Sequence, residues 1–236
     1  MIRLVLFDID GTLIASGGAG VRAFGEVART TFGVPEGTSR MSFAGRTDVS
    51  LVREFFRKEG IPDTPDNITR FLDDYLHWLA TYLEECRGRI MPGVIRALDE
   101  LRSMPNAPVL GLLTGNIRLG AELKLRRYGL WEHFELGAFA DDAEDRNGIA
   151  AMAHRRGNER LGRELNGEEV LVIGDTRHDI TCARAIGARC LAVATGGTDL
   201  ATLRAEGPAW AVNHLEEVSL LELCAGRNGV VTGKTG

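Results

Sequence analysis

Short apolar runs alternate with longer amphipathic ones along this chain. Ile2–Phe7, Val109–Leu113, Phe134–Phe139, Val170–Ile173, Arg189–Val193 and Ala209–Val212 are runs of a few residues bounded by glycine and polar turns. Runs of this length, largely apolar at consecutive positions, predict strands buried on both faces. Between them apolar positions recur at helical spacing. Val94, Leu98 and Leu101 do so within Gly93–Met104, and Leu119, Leu123 and Tyr128 within Arg118–Tyr128; Ile149–Leu161 and Asp179–Ile186 follow the same period. Strands separated by helices predict βαβ units, hence an α/β fold with a mostly parallel sheet.

The rhythm breaks between Ala19 and Glu85. Three helical patterns follow one another there, Val21–Phe32, Val49–Glu59 and Ile68–Leu83, with no strand among them. Glycine-rich SGGAG (Ser16–Gly20) precedes the block and GRIMPG (Gly88–Gly93) follows it. A single crossover of that length is unusual. The pattern predicts a discontinuous core of residues 1–15 and 88–225, a helical insert of residues 16–87 on two flexible connections, and a flexible tail over 226–236. The competing arrangement packs the three helices on the sheet as one domain.

Composition narrows the class. The 236 residues are 44% hydrophobic and 26% charged, with a net charge of −5. Scattered Lys and Arg on an acidic chain argue against a nucleic-acid partner. Cys86, Cys182, Cys190 and Cys224 form no CxxC pair, which argues against a zinc site or a disulfide framework and for free thiols of a reducing cytosol. Arg3 and an early strand pattern are unlike a cleavable signal. No apolar run approaches the ~20 residues of a membrane span. A cytoplasmic protein without a membrane partner is expected; oligomeric state is not legible.

The chemistry sits at strand ends. In LVLFDIDGTL, Leu4 to Leu13, an apolar strand runs into Asp8 and Asp10. Carboxylates beside a core are costly unless paired or bound to metal. The second strand ends in Thr114, Gly115 and Asn116, and the fourth in Gly174, Asp175, Thr176 and Asp179. Ligands of open parallel sheets bind at the carboxyl ends of the strands, so acids from two strands meeting at one rim predict a hard-oxygen site suited to Mg²⁺.

DIDGTL, LLTGN (Leu112–Asn116), GDTRHDI (Gly174–Ile180) and MPGV (Met91–Val94) together resemble the haloacid-dehalogenase-like hydrolases of the phosphoglycolate-phosphatase kind, through the core from Ile2 to about Leu215. The resemblance implies a Rossmann-like three-layer core with a small α-helical cap, and Mg²⁺-dependent hydrolysis of a small phosphorylated metabolite. Asp8 would form an aspartyl phosphate, and Asp10 would act as general acid and then base. Asp8, the Asp10 carbonyl and Asp175 would hold the metal, with Asp179 orienting from behind. Thr114, Gly115, Asn116 and the Asp8–Thr12 turn, including Gly11, would bind phosphate. The family's basic residue is often a Lys followed by Pro, absent here; the matching stretch DDAEDRNG offers Arg146, and Lys124 in ELKLRRYGL is second. The unremarkable alternatives pair Arg146 with Asp142 or Asp145 and leave Lys124 solvated. In FAGRTD, Phe43 to Asp48, Arg46 is the candidate for a second anionic group of the substrate; the alternative leaves Arg46 exposed beside a helix cap at Thr47 or Asp48.

His178 is expected to face outward. The tail GVVTGKTG lacks the first glycine of a phosphate loop, Asn228 standing in its place. A phosphoglucomutase-type isomerase shares the core acids, a non-catalytic binding module would have no use for them, and Asp10 disfavours a dehalogenase or phosphonatase.

Overall fold

The computed structural model describes residues 1–39 and 41–227. The elements in chain order are β1 (Leu4–Phe7), β2 (Ile14–Ala15), α1 (Ala19–Thr30), α2 (Asp48–Glu59), α3 (Pro65–Glu85), β3 (Arg89–Ile90), α4 (Val94–Arg102), β4 (Val109–Leu113), α5 (Arg118–Arg127), β5 (Leu136–Ala138), α6 (Arg146–Leu161), β6 (Val170–Gly174), α7 (Arg177–Ala185), β7 (Arg189–Val193), α8 (Leu200–Ala205), β8 (Trp210–Val212) and α9 (Leu220–Cys224). Six strands form one parallel sheet in the order β5-β4-β1-β6-β7-β8. This is the parallel α/β sheet that the alternation predicts, in the Rossmann-like form that the resemblance implies.

The order places the chemistry. The chain builds outward from β1 through β4 to β5, then returns to β6 on the other side of β1. The switch point therefore falls at β1, and the three strands that carry the acidic and Thr-Gly-Asn motifs are neighbours. Pleating sorts β1 side chains to opposite faces. Val5 and Phe7 pack with Val94, Leu98, Leu125 and Leu220 of α4, α5 and α9; Leu4 and Leu6 pack with Ile149, Ala153, Ile180 and Leu203 of α6, α7 and α8.

The helices α1–α3 carry their own apolar cluster. Phe24, Phe55, Phe56 and Phe71 meet there, joined by Ile117 and Ala140 from the sheet side. Local signals set the helix ends: Thr47 and Thr64 accept from backbone N–H groups as N-caps of α2 and α3, and Pro65 starts α3.

Three details differ from the sequence expectation. The expected flexible connection GRIMPG carries β3, which pairs with β2 just ahead of SGGAG, Ile14 opposite Ile90; burial of Ile14 favours the pairing, and two-residue strands leave no periodicity to read. The strand expected over Phe134–Phe139 shrinks to Leu136–Ala138, because a 3₁₀ turn over Trp131–His133 holds the chain up to Phe134. Gly226 and Arg227 of the expected tail bond back to Leu223 and Glu222; positions 228–236, with the GVVTGKTG stretch, lie outside the described residues. Among the described residues, no helix is long and apolar enough to cross a membrane.

Candidate active site

Asp8 follows β1, Thr114 follows β4 and Asp175 follows β6, so register alone brings them to one rim. Asp8, Asp175 and Asp179 are all buried, and one carboxylate oxygen from each lies within 4.8 Å of the others. The Arg146 guanidinium joins them: Nη1 donates to Asp8 Oδ1 at 3.3 Å, and Nη2 to Asp179 Oδ1. Asp179 Oδ2 accepts from the backbone N–H and hydroxyl of Thr176 at 3.0 and 2.7 Å, the capping box of α7. Both oxygens of Asp179 are thus engaged by the protein.

Asp175 sits in a tight backbone cradle. Its Oδ1 accepts from the Thr12 hydroxyl at 3.2 Å. A Cβ on Gly11 would come within 2.5 Å of its Oδ2, and Gly11 adopts φ +87°, so only glycine fits this turn. Gly196, after β7, closes the other side, and the Thr195 hydroxyl donates to the Gly11 carbonyl at 2.6 Å. Thr12 therefore braces Asp175, and it is absent from the cavity wall that the acids line.

Burial pushes Asp8 above the usual carboxylate range; Arg146 pulls it down, and Asp179 and Asp10 push it up. Burial, then Asp8 and Asp179, push Asp175 upward too. Three carboxylates face one guanidinium, so the rim is net negative. All-oxygen donors and excess negative charge fit a divalent cation such as Mg²⁺.

A second network runs alongside. Lys124 is buried, 4% exposed; its Nζ donates to Asp10 Oδ2 and to Asn116 Oδ1, both at 2.6 Å. Asn116 Nδ2 donates to Asp10 Oδ2 at 2.9 Å and to Thr114 Oγ1 at 2.8 Å. The Asn116 backbone N–H also bonds Thr114 Oγ1 at 3.3 Å. With its oxygen accepting twice, the Thr114 hydroxyl has its proton left to donate. Lys124 is thus no solvated helix residue, and Arg146 pairs with neither Asp142, which Arg156 holds, nor Asp145, the N-cap of α6.

The loop before α2 lies on this rim. The Asp48 N–H donates to the Gly115 carbonyl at 2.7 Å, Ile117 N–H to Asp48 Oδ2 at 2.8 Å, and the Thr47 hydroxyl to the Glu144 carbonyl at 2.8 Å. Thr47 also caps α2, and Arg46 pairs with Glu54 at 2.7 Å. Gly45 approaches His178 so closely that a Cβ would strike its ring; His178 is half-buried against this loop rather than turned fully outward. Together these elements enclose a cavity of about 420 Å³ lined by Asp8, Asp10, Thr114, Lys124, Arg146 and Asp175 among others.

Desolvation raises Asp48 from the ordinary 3.8 to about 6, against the pull of Lys124. An acid raised on folding contributes stability at low pH that is lost as pH climbs through the folded value. Asp48→Asn keeps an oxygen for the Ile117 N–H. It is expected to leave stability unchanged below about pH 4 and to add on the order of 2 kcal/mol above about pH 6, read by urea denaturation across that range.

Sequence reasoning reached Asp48 only as part of FAGRTD and as a possible helix cap, and it missed Tyr75, which lines the cavity, and the TGG turn after β7 (Thr195–Gly197). The last had a readable signal: a glycine pair at the carboxyl end of a buried strand.

A sequence model of the family described as haloacid dehalogenase-like hydrolase matches residues 5–193. The chain is 28% identical over 210 residues to phosphoglycolate phosphatase of Synechococcus elongatus, covering 89% of this chain and 92% of that one. It is 29% identical over 190 residues to phosphoglycolate phosphatase of Rhodobacter capsulatus, covering 79% and 82%. Its fold superposes on CbbY from Rhodobacter sphaeroides in complex with phosphate with a TM-score of 0.70 at 20% identity, over 92% of this chain and 96% of that one. A parallel sheet whose switch point gathers these acids, and a family match spanning most of the chain, lead to one assignment: this protein belongs to the haloacid dehalogenase-like hydrolases.

Proposed function

We propose that this chain is a Mg²⁺-dependent phosphatase that hydrolyses a small phosphorylated metabolite through an aspartyl phosphate on Asp8. The observation that carries the reading is the meeting of Asp8, Asp175 and Asp179 beside Arg146 at the floor of the cavity. The relatives named phosphoglycolate phosphatase support the reaction class. The carboxylates of Asp8 and Asp175 and the backbone carbonyl of Asp10 would hold the metal, while Asp179, whose oxygens are engaged by Thr176 and Arg146, steadies the surroundings. When bound, Mg²⁺ neutralises charge on the phosphoryl oxygens and on the rim.

The remaining steps belong to the chain. An Asp8 oxygen attacks phosphorus while Asp10 gives its proton to the departing alkoxide, so the P–O ester bond breaks as the aspartyl P–O bond forms. Asp10 then takes a proton from water, whose oxygen attacks phosphorus and returns Asp8 as a carboxylate. Lys124 and Asn116 hold Asp10 in place for both transfers. The Thr114 hydroxyl, the Gly115 N–H and Arg146 donate to phosphoryl oxygens.

Residues 16–87 act as a cap over a catalytic core of residues 1–15 and 88–225, and closure excludes water. Gly115 is where the cap loop rests: a Cβ there would fall on the Arg46 carbonyl. Gly115→Ala is expected to lower kcat/KM about 10²-fold by displacing that loop, with little change in thermal midpoint. Steady-state kinetics beside a melting curve read both.

The direct test is phosphate release from p-nitrophenyl phosphate. Release with Mg²⁺, its loss on chelation and its return when Mg²⁺ is restored are expected. No release from a broad panel of phosphate esters in the presence of Mg²⁺ would reject the phosphatase.

A further inference from the structure

The cavity has a phosphoryl end, at Asp8, Thr114, Arg146 and Asp175, and a leaving-group end under α1–α3. Val21, Phe24, Phe43, Leu51 and Tyr75 wall the second end. Phe24 and Phe43 meet edge to face there, with centroids 5.3 Å apart at 84°. Val21 lies in the first turn of α1 and is 42% exposed.

Cations reach this end already engaged. Arg46, Lys124 and Arg146 are the basic residues of the wall. Arg146 belongs to the phosphoryl end. Arg46 pairs with Glu54 at 2.7 Å, and Glu54 is held well below the usual carboxylate range by Lys58 and Arg46. Lys124 bonds Asp10 and feels Asp48 as a second negative neighbour. A carboxylate on the leaving group would meet Lys124 with its Nζ already bonded to Asp10 and Asn116, and would lose its hydration without gaining an unengaged partner. The volume of about 420 Å³ also falls in the range of about 300–1,000 Å³ typical of sites for drug-sized ligands, and a two-carbon acid would leave much of it unfilled.

We infer that the leaving group is an uncharged alcohol with an apolar or aromatic face, seated against Val21, Phe24, Phe43 and Tyr75, and that phosphomonoesters of carboxylate-bearing alcohols such as 2-phosphoglycolate are discriminated against. This rests on the phosphatase reading and specifies its substrate class. Apolar walls discriminate modestly through buried area, whereas an unpartnered charge is rejected strongly.

Benzyl phosphate, ethyl phosphate and 2-phosphoglycolate are unactivated alkyl esters, so their kcat/KM values with Mg²⁺ report the wall. Benzyl phosphate is expected to exceed 2-phosphoglycolate by about tenfold or more, with ethyl phosphate between them. Phe43→Ala is expected to lower the benzyl-to-ethyl ratio. Val21→Lys, at an exposed position, is expected to shift the benzyl-to-phosphoglycolate ratio toward phosphoglycolate by about tenfold. A wild-type preference for 2-phosphoglycolate would put its carboxylate at the N-terminus of α1 and overturn the inference while leaving the phosphatase intact. Ratios unmoved by both variants would overturn it equally. Turnover of none of these esters, nor of p-nitrophenyl phosphate, would remove the phosphatase and the inference with it.

Discussion

Asp8→Asn is expected to lower turnover by about 10⁴-fold or more, the scale seen when a covalent nucleophile is removed, while making the metal-free protein more stable. The two effects share a cause. Asp8 is buried, and desolvation raises its pKa beyond what Arg146 recovers, with Asp179 and Asp10 adding repulsion. An acid raised on folding adds stability that is fully present below its unfolded pKa and drains away as pH rises through the folded one. Asparagine has no charge to desolvate, so the variant keeps what the wild type loses. The gain in melting midpoint over wild type, measured in chelator, should grow from pH 5 to pH 8. Mg²⁺ should then raise the wild-type midpoint more than that of the variant, since the variant has lost a charged ligand. Residual phosphate release near the wild-type rate would remove Asp8 as nucleophile. A variant less stable than wild type at pH 8 would refute the electrostatic account of the rim.

Arg146→Ala has the second largest expected effect, and its sign on stability is opposite. Arg146 is 8% exposed and bonds two buried carboxylates. Removing it leaves Asp8 and Asp179 without their shared counter-charge, which for a broken buried pair costs roughly 3–5 kcal/mol. Turnover should fall by about 10²–10³-fold, as when one donor to a developing oxyanion is deleted. Arg146→Lys restores charge without the planar fork and should recover part of both losses. Lys124→Ala should reduce turnover less than Arg146→Ala, because Asn116 still holds Asp10. Denaturation in chelator and kcat in Mg²⁺ separate the two quantities. A larger kinetic loss at Lys124 than at Arg146 would exchange the roles of the two cations.

Arg146 is the candidate that DDAEDRNG offers, and the structure adds the partners that a linear reading could not name. It opens α6 directly after the Asp145 cap, where the helix dipole disfavours a cation. That local anomaly was present in DDAEDRNG, but the carboxylates that offset it come from β1 and from α7. Lys124 was harder still. The helical spacing of Leu119, Leu123 and Tyr128 pointed to another face of α5: Leu119 is 55% exposed, and the residues that α5 buries are Gly120, Ala121, Lys124 and Leu125. Arg46, a candidate for substrate contact, lines the cavity from the loop before α2 and pairs with Glu54 of that helix, a partner that only the finished loop reveals.

What the chain determined on its own were the elements with a period and the motifs with a fixed offset. Val109–Leu113 and Arg189–Val193 are strands with the bounds their apolar runs suggest, because a strand covered on both faces must be apolar throughout. The acids at the ends of β1 and β6 were legible because the charge follows the core without a turn between. Tertiary structure alone decided which partner each charge receives. Thr12 went to Asp175, Asn116 and Lys124 to Asp10, and Arg146 to Asp8 and Asp179. Those choices depend on strand order and on how closely backbones approach at Gly11, Gly115 and Gly196. Hydrogen bonds and charge pairing act over a few ångströms in space, and segments more than a hundred residues apart come that close only once the sheet has formed.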